Sequence, residues 1–231
     1  MLTQWAEPSP GLILCQPDTR KGCSACCGLF NFQDITRESL ARFLRGGKSR
    51  ARVIRGADED GCGAGAEVRD VGAHICPFQG FCSDGKPGCL LHPNICGVDQ
   101  RDRSLFKTKI CSSFYCPAHT ILSDREKRLL IELIDDWYLY TVAIIDPESF
   151  LWILKLSESH REDLTSKASK DLVMRGMEIH AQHLSAQSVP IFHYSVSEYN
   201  LASEAFSLSR ESASNRTVRE KIEREAERTI S

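Results

Sequence analysis

At 231 residues, 42% hydrophobic and 26% charged, the chain holds enough apolar material for one large domain or two modest ones, so size alone does not oblige it to bind metal. A formal net charge of -2 and a pI near 6.4 exclude a broad attraction to phosphate, and no nucleic-acid partner is expected. The N-terminus MLTQWAEPSP lacks the cationic and apolar regions of a secretion signal, and no run approaches the roughly 18 apolar residues of a membrane span, so a soluble, cytoplasmic protein without a membrane partner is expected.

The first predicted helix begins near Asp34 or Thr36, carries Leu40, Phe43 and Leu44 on one face, and stops at Gly46-Gly47, read as a left-handed terminator. Glycines 56, 61, 63, 65, 72, 80, 85 and 88 then crowd a stretch with little periodicity, which a metal could order in place of an apolar core. Ser123 and Glu126 form a capping box for a helix over about 124–145, with Leu130, Leu133, Ile134, Trp137 and Ile144 at helical spacing. Asp146-Pro147-Glu148 opens the next helix, and a third covers about 161–185. Val189 to Tyr194 is a short β-prone piece, and residues 210–229 alternate Arg or Lys with Glu over a stripe of Val218, Ile222, Ala226 and Ile230, which reads as a solvated or partner-seeking helix. The expected fold class is mainly α with an irregular, loop-rich cysteine region. It divides into a cysteine-rich metal-binding part over 1–120, a helical region over 121–200 that packs on it, and a charged helix or tail over 201–231.

All 11 cysteines lie between Cys15 and Cys116. In a reducing compartment that density points to metal or redox chemistry rather than to disulfides. Cys23 and Cys26 have the two-residue separation that lets a turn aim both sulfurs at one ion while its N–H groups donate to them. Cys27, adjacent to Cys26, serves a second metal or ligates the first through an unusual backbone. The candidate metal ligands are Cys23, Cys26, Cys27, Cys76, Cys89, Cys96, Cys111 and Cys116. Two four-thiolate sites, or one cluster with auxiliary cysteines, would both use them. Cys15, Cys62 and Cys82 are equally consistent with buried, inert thiols. His92 and His119, each three residues after a cysteine, stay open as ligands of a mixed site.

The order Gly22-Cys23-Ser24-Ala25-Cys26-Cys27, a helix opening with Ile35-Thr36-Arg37-Glu38, Cys76-Pro77-Phe78, Cys89-Leu90-Leu91-His92-Pro93-Asn94-Ile95-Cys96 and a final cysteine pair resembles a bacterial family with the pattern CxxCxxCC, described as a zinc- or iron-chelating domain. The likeness spans roughly residues 15–120. It departs from the family at Arg20, where the first cysteine would fall, at a shortened block after Cys89, and at His92-Pro93, where Arg-Pro is common. Either Cys15 supplies the missing ligand, or the first site has one ligand fewer than the family pattern or borrows one from the later blocks. The resemblance implies metal chelation and names no substrate. A connection of some longer relatives with lysine methylation of flagellin makes a redox-active or methyl-transferring, protein-modifying enzyme the alternative function.

All-thiolate sets suit both zinc and iron–sulfur clusters. Cysteine followed by proline, at Cys76 and Cys116, tilts the expectation toward an iron–sulfur cluster. Gly61-Cys62-Gly63-Ala64-Gly65 reads as a flexible turn rather than a phosphate loop. His180 and His183 read as an ordinary polar helix face, and Trp137, Tyr138 and Tyr140 as core and rim. No nucleophile elbow, metalloprotease motif or Walker loop is present, and no catalytic residue can be named.

Overall fold

The computed structural model describes residues 12–18, 20–54, 75–82, 85–104, 107–112, 115–116, 118–160, 163–186 and 216–230. The fold is mainly α: α1 (Arg37–Arg45), α2 (Gly47–Ile54), β1 (Gln79–Phe81), β2 (Pro87–Cys89), α3 (Pro93–Cys96), α4 (Lys107–Cys111), α5 (Ala118–Ile121), α6 (Asp124–Leu133), α7 (Trp137–Ile145), α8 (Pro147–His160), α9 (Lys167–Ser185) and α10 (Arg216–Ile230). The strands form one antiparallel hairpin, with Gly80 opposite Gly88 and Gln79 opposite Cys89. The predicted β piece at 189–194 and Cys62 lie outside the described residues.

α7 is the centre of the core. Tyr138 through Ile145 are all buried, as befits a helix that is apolar all round and therefore has no face to give to water. Around it, one continuous cluster joins Leu14, Leu29, Phe30, Leu40 and Leu44 from the cysteine-rich part to Leu130, Phe150, Val173 and Ile222 from the helical part. α8 and α9 approach closely at Gly176, where a Cβ would stand 2.9 Å from the Ile153 side chain.

The single helix expected over 124–145 is two helices. Ser123 makes the anticipated capping box on α6, but Ile134 is extended and Asp136 starts α7 by accepting from the N–H groups of Tyr138 and Leu139 at 3.0 and 2.9 Å. Asp135 is engaged by Lys21, Lys170 and Arg20, and Asp136 also by Arg37. Two consecutive aspartates are poor helix-interior residues, and here each has a cap or a cation to satisfy outside the helix.

The Gly46-Gly47 reading also needs correction. Gly46 is right-handed, with φ −71°, and Gly47 opens α2 directly. Gly47 is required for close approach: a Cβ there would lie 2.5 Å from the Gln79 carbonyl oxygen and 2.7 Å from Gly80 Cα, both backbone. Gly47→Ala should therefore destabilise the protein by about 1–3 kcal/mol despite its better helix propensity, since overpacking against backbone has no cheap relief. The midpoint of denaturant unfolding checks this. Further on, α9 begins at Lys167 behind an N-cap by Ser166 rather than near 161.

α10 turns the described part of its stripe inward. Ile222 and Ala226 are buried where α10 packs on α8 and α9, and Arg219 lies over the Trp152 ring. Ile222 and Ala226 of the expected partner face are thus covered by the chain itself, while the side chains of Val218 and Ile230 lie outside the described residues. Among the described residues no helix is long and apolar enough to cross a membrane.

Candidate metal centre

The cysteine loop is shaped before any sulfur is considered. Asp18 Oδ1 accepts from the N–H groups of Arg20 and Lys21 at 2.7 Å each, turning the chain so that Cys23 N–H donates to the Cys15 carbonyl at 2.9 Å. Lys21 anchors this turn with a fully buried side chain, donating to the Ile131 carbonyl of α6 and pairing with Asp135 at 3.2 Å. Beyond Cys23 the chain bends again, and Ala25 N–H donates to Cys23 Sγ at 3.3 Å. Gly28 then takes a left-handed φ of 80°, a conformation a side chain would resist.

Cys15, Cys23, Cys26 and Cys116 line one small cavity with Leu14, Ala25 and Ile144. Cys116 arrives from the loop before α5 and accepts from the Ala118 and His119 backbone N–H groups. The wall is α7: Ile144 closes one side, and Tyr140 donates from its buried hydroxyl to the Leu14 carbonyl at 2.8 Å. Burial pushes the Cys116 thiol up to about 12, with the nearby charge of Cys26 adding to it. Burial, then the charges of Cys116, Cys15 and Cys26, raises Cys23 in the same way.

Cys27, Cys76, Cys89 and Cys111 make a second group. Cys76 N–H donates to the Cys27 carbonyl at 2.8 Å, and Gln79 Nε2 donates to the same oxygen at 3.0 Å, so the β-hairpin is stitched to the end of the first loop. Cys76 accepts from Phe78 N–H and Cys89 from Leu91 N–H. Burial raises both thiols, Cys89 to about 11, and the charge of Cys111 is felt by each. Cys111 ends α4, with its carbonyl held by Arg101 at 3.1 Å and its sulfur 3.5 Å from the Ser104 hydroxyl. Arg101 is in turn fixed by a two-pronged pair with Asp99 at 2.9 and 2.6 Å.

Cys26 lines the first cavity, yet its charge is also felt by Cys76, Cys89 and Cys111 of the second group, and the Cys27 thiol donates to it, which lowers Cys26 and raises Cys27; Cys26 therefore joins the two groups. Among the described residues no three His, Cys, Asp or Glu side chains converge as a bound ion would require. Four thiolates at about 2.3 Å from one zinc stand roughly 3.8 Å apart, whereas an iron–sulfur core keeps its ligand sulfurs wider because the core itself lies between them. The donor chemistry fits either group: four thiols per set, and N–H groups already aimed at sulfur in both.

Of the eight predicted ligands, seven fall into these two groups. The side chain of Cys96 lies outside the described residues; Cys15 completes the first set. No spacing rule singles out Cys15; the resemblance offers it for the missing position, and its backbone contact with Cys23 and the shared cavity bring it in. Cys82 is buried at the hairpin, its sulfur so close to Gly88 that a Cβ there would meet it at 2.8 Å. His119 is buried, edge-on to Tyr115 at 5.0 Å, and burial lowers it to about 4. His180 is no surface histidine: it is buried with Nε2 2.9 Å from the buried Asp146 carboxylate. The nine cysteines whose side chains are described are free thiols. No protein-family model, curated protein or solved structure matches the chain.

Proposed function

We propose that the protein holds two metal centres, one on Cys15, Cys23, Cys26 and Cys116 and the other on Cys27, Cys76, Cys89 and Cys111, occupied by iron–sulfur clusters in preference to zinc. One observation carries the reading: Cys23, Cys76, Cys89 and Cys116 each accept a backbone N–H. Those donors are well matched to thiolates and poorly used on neutral thiols, because hydrogen bonds to an ionised acceptor are about twice as strong. Burial opposes the thiolate at these positions, so a cation is what reconciles the two. The prolines after Cys76 and Cys116 favour a cluster, and the resemblance to a metal-chelating family agrees in kind.

Elemental analysis and a visible spectrum of anaerobically purified, untagged protein test the reading. Iron with acid-labile sulfide, and a brown band that bleaches with dithionite, is the expected result. Colourless protein with zinc would replace the cluster by a structural metal, and protein free of both would end the proposal.

A further inference from the structure

The two groups differ in how they meet solvent. None of the first group's cysteines is exposed, and α7 closes it with Ile144. In the second group Cys76 is buried and Cys27 and Cys89 are half-buried, but Cys111 is exposed. Cys111 also has a different setting from the others. It stands at the end of a five-residue helix, with a hydroxyl 3.5 Å from its sulfur and a guanidinium on its own carbonyl. Cys76 instead packs in a small apolar cluster with Ala51, Phe78, Leu90 and Leu91, against which Cys27 and Cys89 lie.

Resting on the two-centre reading, we infer that the second centre is an exchange site, at which an incoming thiol displaces Cys111 and so takes hold of the metal or cluster, while the first centre is retained. The acceptor is a thiol-bearing molecule, small or a protein cysteine. The step is a ligand exchange without change of oxidation state. The incoming sulfur forms a bond to the metal and gives up its proton; the bond from the metal to Cys111 breaks, and Cys111 takes up a proton or stays a thiolate beside the Ser104 hydroxyl and Arg101. An exposed ligand that can leave into a polar, cationic setting is the one an external thiol reaches first.

The test uses the full chain as isolated with its metal, glutathione as the thiol and a chromophoric chelator to report release. Two phases are expected, each carrying about half the metal, with only the fast phase accelerating in proportion to glutathione. Cys111→Ser should abolish the fast phase and leave the slow one, and Cys15→Ser should do the reverse. Alkylation of the unaltered protein with iodoacetamide keeps the test independent of variant folding: Cys111 should react first, roughly tenfold ahead of the other seven ligands, as exposure controls thiol access. Release in a single phase, a fast phase indifferent to glutathione, or first labelling at a cysteine of the first group would each overturn the inference while leaving the metal centres standing. Protein that contains no metal would remove both.

Discussion

Cys26→Ser is expected to have the largest effect of any single substitution, reducing metal content by at least half and solubility with it. Cys26 lines the first cavity and also accepts the hydrogen bond of Cys27, so its sulfur supports both groups at once. A serine oxygen is a harder, more basic and shorter-reaching donor that neither a cluster nor a zinc thiolate site takes in exchange without loss. Cys82→Ser is the matched control, because Cys82 sits by the hairpin glycine Gly88 and has no place in either set. Metal per chain, measured on both variants, gives the answer. Equal metal in Cys26→Ser and in the parent protein would dismantle the assignment of the first group and the bridge to the second.

What could be read in advance was what local chemistry decides. Thr36 and Ser123 cap helices because a hydroxyl reaches the third N–H along. Pro147 opens α8 for the same local reason, its missing N–H being dispensable in a first turn. The break at 134–136 was not legible, since its causes sit far away in sequence: Lys21 on Asp135 and Arg37 on Asp136. The partition of the cysteines was half legible. Spacing marks Cys23, Cys26 and Cys27 as ligands, and adjacency implies that Cys26 and Cys27 diverge. Which distant sulfurs each would meet depends on the hairpin stitched to the Cys27 carbonyl by Cys76 and Gln79. Gly47 misled for a related reason, because the contact that demands glycine there is with residues 79 and 80.

Stripping the metal should unfold one part of the protein and spare the rest. The second group is backed only by four buried apolar residues around Cys76, namely Ala51, Phe78, Leu90 and Leu91, and by a hairpin with three residues in each strand. Such a hairpin is marginal on its own. The helical part instead shares the large core around α7, which needs no ion to hold it. Structural metal binding is worth about 10–16 kcal/mol in small thiolate-rich domains, more than that small cluster can replace. Amide hydrogen exchange after chelation should thus lose protection across residues 76–111 while α7, α8 and α9 keep theirs. The pH dependence has a definite sign. Burial pushes the Cys89 and Cys116 thiols up to about 11 and about 12, which keeps them protonated at neutral pH, so each ion or cluster bound must displace protons. Metal affinity therefore rises with pH and falls in acid, and acidification should reproduce the exchange pattern of the chelated protein. Protection lost evenly along the chain would mean that the helical core depends on the metal too, and protection unchanged between 76 and 111 would mean that the hairpin and its cysteines are held by packing alone.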